Sequence, residues 1–114
     1  SYWDISPTAA QSCAMQSEPS ALVRAQRRRL PAANSKEEVL ELLRNNQVIL
    51  VCGGTGCGKT TQVPQFILEQ AEKQGTGVKI VVAQPRRIAA MGVAQRVAEE
   101  RGQPMGQSVG YMIR

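Results

Sequence analysis

Five consecutive apolar residues, Val48-Ile49-Leu50-Val51-Cys52, run directly into Gly53-Gly54-Thr55-Gly56-Cys57-Gly58-Lys59-Thr60, and this junction constrains the chain more than any other feature. An apolar run rich in Val and Ile, without alternation, predicts a central strand covered on both faces, as in a parallel sheet. The glycines predict a tight loop. Lys59 to about Lys73 then predicts a helix with Val63, Phe66, Ile67 and Gln70 on one side. Pro64 lies a few positions inside that helix, where it removes a backbone donor, so a kink is expected.

The flanking segments extend the pattern. Ser35 and Glu38 have the spacing of a capping box, and Val39, Leu40, Leu42 and Leu43 give a helix over about 36–45 its apolar face, with Asn45-Asn46 as the stop. Gln74-Gly75-Thr76-Gly77 reads as a turn, 78–83 as a second buried strand, 87–101 as an Ala-rich helix ending at Gly102, and 109–113 as a last strand. Alternating helices and strands predict an α/β fold, a parallel sheet flanked by helices, with a right-handed crossover from 48–52 to 78–82. Residues 1–35 are rich in Ser, Ala, Gln and Pro and sustain neither a strand nor a helix period, so they read as a flexible leader. Arg24, Arg27, Arg28 and Arg29 are its charge cluster, read as a solvated surface or otherwise as an anion or nucleic-acid contact or a localisation signal.

Composition removes several function classes. With 42% hydrophobic and 20% charged residues the chain is of ordinary globular type, and it lacks the long apolar run that a membrane span needs. The first dozen residues are polar, and no secretory core is expected. Three cysteines (Cys13, Cys52, Cys57) and no histidine make a disulfide scaffold or a Cys/His zinc site a poor reading and favour a reducing compartment. A net charge of +5 favours a polyanionic partner. Asp4 is the sole aspartate, so chemistry that needs an Asp or His base has none in the folded part.

The loop itself has the form G-x-x-x-x-G-K-[ST] between strand and helix, which points to nucleotide binding. Glycines allow successive N–H groups to turn inward as an anion nest, and the helix N-terminus directs its dipole at the same point. On this reading Gly53, Gly54, Thr55, Gly56, Cys57, Gly58, Lys59, Thr60 and Thr61 hold the phosphates of ATP. Lys59 brings its charge to the β- and γ-phosphates, and Thr60 Oγ1 ligates Mg²⁺; these two are the catalytic candidates. Cys57, inside the nest and near Lys59, is read either as a thiol that bound nucleotide protects from alkylation or as an inert filler of the turn. Cys52 is read as strand core. The second strand ends at Gln84-Pro85-Arg86-Arg87, and two arginines at the C-terminal edge of a sheet suit phosphodiester oxygens.

At this point the chain resembles a known family. Residues 53–66 look like motif I of DEAH-box RNA helicases, and Gln84-Pro85-Arg86-Arg87-Ile88-Ala89-Ala90 looks like their motif Ia. Residues 93–100 and 109–114 are similar to the segments that follow, and Arg29-Leu30-Pro31 fits the pattern before the first helix. The resemblance covers about residues 29–114. It implies a RecA-like P-loop NTPase domain, present here in part as residues 36–114 behind a leader of 1–35. It further implies ATP and Mg²⁺ as cofactors, Arg86 and Arg87 on the backbone of single-stranded RNA, and Arg96 against the adenine. Protein cofactors of RNP complexes and an intracellular site, nucleus or cytoplasm, follow from the same resemblance.

Gly54 departs from the family, which usually has Glu or Asp there. The 114 residues hold no Asp-Glu-Ala-His stretch, and Glu69, Glu72, Glu99 and Glu100 read as solvated helix faces. The chain alone is therefore expected to lack turnover and to present an exposed sheet edge. Two alternatives to a helicase stand: a non-catalytic nucleotide- or RNA-binding RNP component, and another P-loop ATPase or small-molecule kinase.

Overall fold

The computed structural model describes residues 2–5 and 21–114. In chain order the elements are β1 (Tyr2–Ile5), α1 (Ala21–Arg29), a 3₁₀ turn (Pro31–Ser35), α2 (Lys36–Asn45), α3 (Lys59–Gln74), β2 (Val78–Val81), α4 (Arg87–Arg101) and β3 (Val109–Gly110). The three helices expected between 36 and 101 are present with nearly the expected bounds, and of the two strands expected there only the second, 78–83, forms, as Val78–Val81. Gly102 (φ 66°) stops its helix as read, and Gly75 (φ 67°), read only as part of a turn, likewise adopts the left-handed conformation. Thr76 N–H reaches Ala71 O at 3.0 Å and Gln103 N–H reaches Ala98 O at 3.0 Å, closing each helix with a Schellman motif.

Leu68 of α3, Ala94, Val97 and Ala98 of α4, and Val109 of β3 form the buried core, with Val78, Ile80, Val82 and Val93 packed against it. Alanines on α4 let it lie close to its neighbours. The buried residues of α3 are Gln62, Pro64, Gln65, Phe66, Leu68 and Ala71. Of the expected face only Phe66 is fully buried, because two glutamines occupy a polar part of the interior. Ser35 makes no side-chain cap to α2, so the capping-box pattern is not realised.

The sheet differs most from expectation. It has three strands in the order β2-β1-β3, and both pairings are antiparallel, with Tyr2 opposite Val81 and Trp3 opposite Val109. β2 and β3 consequently run parallel to each other across β1. The run 48–52 forms no strand: Val48 and Leu50 are 87% and 89% exposed and Cys52 is exposed, whereas Ile49 and Val51 are half-buried. The segment thus keeps an inner and an outer side, but no neighbouring strand hydrogen-bonds to it among the described residues. The expected 48–52 to 78–82 crossover is therefore not formed. β3 stops at Gly110, and Tyr111 to Arg114 are exposed.

The leader is also more ordered than its composition suggests. Ala21–Arg29 is a helix of good helix formers whose last turn carries Arg27, Arg28 and Arg29, favourable at the negative end of the dipole. Its inward face is Val23, Arg27 and Leu30, at helical spacing, with an arginine where an apolar residue would signal the period. Residues 1 and 6–20, including Cys13 and the remainder of the expected flexible leader, lie outside the described residues.

Candidate nucleotide site

The loop 53–60 joins the exposed run to α3. Gly56 (φ 79°) and Gly58 (φ 91°) carry the left-handed turns. Lys59 Nζ folds back over the loop, donating to Gly53 O at 2.5 Å and Gly54 O at 3.0 Å, with Cys57 Sγ at 3.4 Å. The ammonium is thereby held at the mouth of the glycine loop. Ala32 N–H donates to Cys57 O at 3.1 Å, which pins the loop to the 3₁₀ turn. A cavity of about 210 Å³ opens beside it, with Gly53, Gly54, Cys57 and Lys59 at its polar end and Val39, Val63 and Phe66 at its apolar end. Thr60 is exposed on the first turn of α3, Thr61 is half-buried, and Cys52 and Cys57 are free thiols. No group of three or more His, Cys, Asp or Glu residues that could hold a metal ion occurs among the described residues.

The paired arginines that follow β2 lie elsewhere on the surface. Arg86 and Arg87 are exposed and line a cleft of about 530 Å³ with Val81, Val82, Ile113 and Arg114. Arg114 is a third cation that sequence reasoning did not single out; its nearness depends on the fold returning the chain past β2. Arg96 is half-buried on α4, where its Nε donates to Glu100 Oε1 at 2.8 Å and its NH2 group reaches Gln26 Oε1 at 3.4 Å. Its link to the loop helix runs through Glu100.

Glu100 corrects the expectation of a solvated face: it is 3% exposed. Its Oε2 accepts from Gln62 Nε2 at 2.9 Å and Gln65 Nε2 at 2.7 Å. Glu72 and Glu69 are likewise engaged, Glu72 with Arg101 and Glu69 with Arg27 (2.5 Å) and Lys36 (2.6 Å). Arg27 also donates from Nε to Gln62 Oε1 at 2.6 Å, so a leader arginine reaches α3. Position 100 lies three residues after buried Val97, the one sequence signal that could have turned it inward.

Burial pushes the Glu69 carboxyl up, but hydrogen bonds and charge from Lys36 and Arg27 outweigh this and hold it below its ordinary value of 4.5. The ionised form is favoured by folding, so this contribution is complete above 4.5 and is lost as pH falls through the lower folded value. Between about pH 5 and 3, Glu69→Gln is expected to melt with a shallower pH dependence than the unsubstituted chain. An identical slope in thermal melts would contradict the pairing.

Comparisons with known proteins point to a family. The family model described as "ATPase: KaiC" matches residues 37–100, over half of the chain. A Mycosarcoma maydis protein named with the DEAH-box ATP-dependent helicases is 54% identical over 99 residues, covering 77% of this chain and 6% of that protein. DExH-box ATP-dependent RNA helicase DExH1 of Arabidopsis thaliana is 52% identical over 94 residues, 81% of this chain and 9% of its own. RNA editing associated helicase 2 of Trypanosoma brucei brucei is 47% identical over 91 residues, 78% of this chain and 4% of its own. The chain thus spans less than a tenth of these relatives. No helix among the described residues is long and apolar enough to cross a membrane. With over half of its length matched by an ATPase family model and about half of its matched residues identical to these helicases, the chain belongs to the P-loop ATPases and, among them, to the DEAH/DExH-box helicase family.

Proposed function

We propose that this chain is the nucleotide-gripping part of an ATP-dependent RNA helicase, with residues 36–114 forming the N-terminal portion of its first RecA-like domain and residues 1–35 its leader. The observation that carries this reading is Lys59 Nζ held at the mouth of the glycine loop by Gly53 O and Gly54 O. That loop and the first turn of α3 can receive the phosphates of ATP, and Thr60 supplies a hydroxyl suited to Mg²⁺. Mg²⁺, when bound, neutralises phosphate charge. Lys59 orients the phosphates, and Arg96 offers a guanidinium plane to the adenine.

Further acidic and basic groups for hydrolysis come from outside the 114 residues. In the intact domain Val48–Cys52 becomes a strand of a parallel sheet; its bare outer side, Val48 and Leu50, supports this. The protein works inside the cell, in nucleus or cytoplasm, with protein cofactors of RNP complexes. RNA-stimulated ATP turnover by the full-length protein tests the reading, and its absence sinks it. Gly54, in place of the family's acidic residue, favours one second reading, a non-catalytic RNP component that binds nucleotide without unwinding.

Arg86 and Arg87 line one cleft with Arg114, a cationic rim over an apolar floor suited to the backbone of single-stranded RNA. In the full-length protein, Arg86→Ala or Arg87→Ala is expected to weaken RNA binding for all sequences alike. Each lowers the slope of log K against log salt by about 0.7. Titrations at several salt concentrations that return an unchanged slope would remove the arginines from the RNA path.

A further inference from the structure

We propose that Glu100 is a positioning residue of the nucleotide site, bracing the glycine loop from behind through a relay of side chains. The proposal rests on the nucleotide site proposed above and adds a residue that makes no contact with the loop itself. The relay is continuous: Glu100 Oε2 accepts from Gln62 Nε2 (2.9 Å), Gln62 Nε2 also donates to Thr61 Oγ1 (3.1 Å), and Thr61 Oγ1 donates to Gly58 O (3.3 Å). Gly58 O also accepts the first helical bond of α3, from Gln62 N–H at 2.9 Å. One glutamine therefore ties the last loop glycine to the buried carboxylate through both its backbone and its side chain.

Three features make Glu100 more than a packed residue. Its side chain is 1% exposed, and a buried carboxylate is tolerated when donors surround it. The donors come from two helices, Gln62 and Gln65 on α3 and Arg96 on α4, with Arg27 of α1 at 3.9 Å. Arg27 also fixes the Gln62 amide by occupying its Oε1 at 2.6 Å, which leaves Nε2 to face the carboxylate and Thr61. The same carboxylate thus sets the loop helix through one oxygen and aims Arg96 through the other.

Glu100→Gln keeps the volume but replaces one acceptor oxygen by an NH₂ group. That group must oppose either Arg96 Nε or the two glutamine amides, so one end of the relay is released. In the full-length protein, Mg-ADP binding measured well below the melting transition is expected to weaken about tenfold. Val97→Ala, a core substitution outside the relay, serves as the reference: it lowers the melting temperature and leaves Mg-ADP affinity unchanged. Gln62→Met, which removes the amide without burying a new polar group, is expected to weaken Mg-ADP as well and keeps the test open if Glu100→Gln folds poorly. Affinity equal to the unsubstituted protein in both relay variants, or a loss no greater than that of Val97→Ala, would overturn the proposal. Failure of the unsubstituted protein to bind Mg-ADP would instead strike the site itself and take the relay's role with it.

Discussion

Lys59→Ala in the full-length protein is expected to lower ATP turnover by at least about 10³-fold while the protein still folds. Lys59 Nζ spends its hydrogen bonds on Gly53 O at 2.5 Å and Gly54 O at 3.0 Å, so its charge is already aimed at the loop before any phosphate arrives. A preoriented ammonium needs little rearrangement when charge develops on a transferring phosphoryl group, which is why its loss falls mainly on turnover. Stability depends on it much less. The bonds are made at the exposed rim of the loop, and exposed contacts of this kind contribute about 1 kcal/mol or less. Steady-state turnover with RNA, paired with a thermal melt, separates the two effects. Turnover within tenfold of the unsubstituted protein would show that the loop is not the catalytic phosphate site.

Gly58→Val is expected to destabilise the fold by about 3 kcal/mol or more, the largest single-site stability effect at the loop. Gly58 sits at φ 91°, where a β-branched residue is strained even in open space. Space is also lacking: a Cβ there would lie 3.0 Å from Leu30 Cδ1 and 3.3 Å from Gln62 Cγ. Leu30 belongs to the segment that docks the leader, and Gln62 to the relay behind the loop, so neither can withdraw without disturbing a second contact. Gly54 is the internal comparison. Its φ is not positive and a Cβ would meet nothing within 4 Å, so Gly54→Ala should stay within about 0.5 kcal/mol. Urea midpoints for the two variants decide the matter; equal midpoints would mean that the left-handed turn at Gly58 is not required.

The parts of the chain that were legible in advance are those governed by short-range chemistry. α2, α3 and α4 follow from helical periodicity and from glycines that only a left-handed stop explains, and the loop follows from its fixed spacing. α1 was not legible, because its inward face, Val23, Arg27 and Leu30, places a cation where the period needs an apolar residue. Glu100 was misread for a related reason: a carboxylate at the end of an exposed-looking helix turns inward here, because Gln62 and Gln65 on a helix 35–38 residues away supply its donors.

By itself, then, the order of residues determined the loop, its lysine, the helix behind it and the stops of two helices, since each depends on neighbours within a turn or two along the chain. The tertiary structure alone decided that Tyr2–Ile5 lies between β2 and β3, that 48–52 keeps one side bare, and that Arg86, Arg87 and Arg114 share a cleft. An apolar run states that a strand wants a partner, but its pattern carries no record of which strand; that is settled by which distant backbone edge reaches it in space.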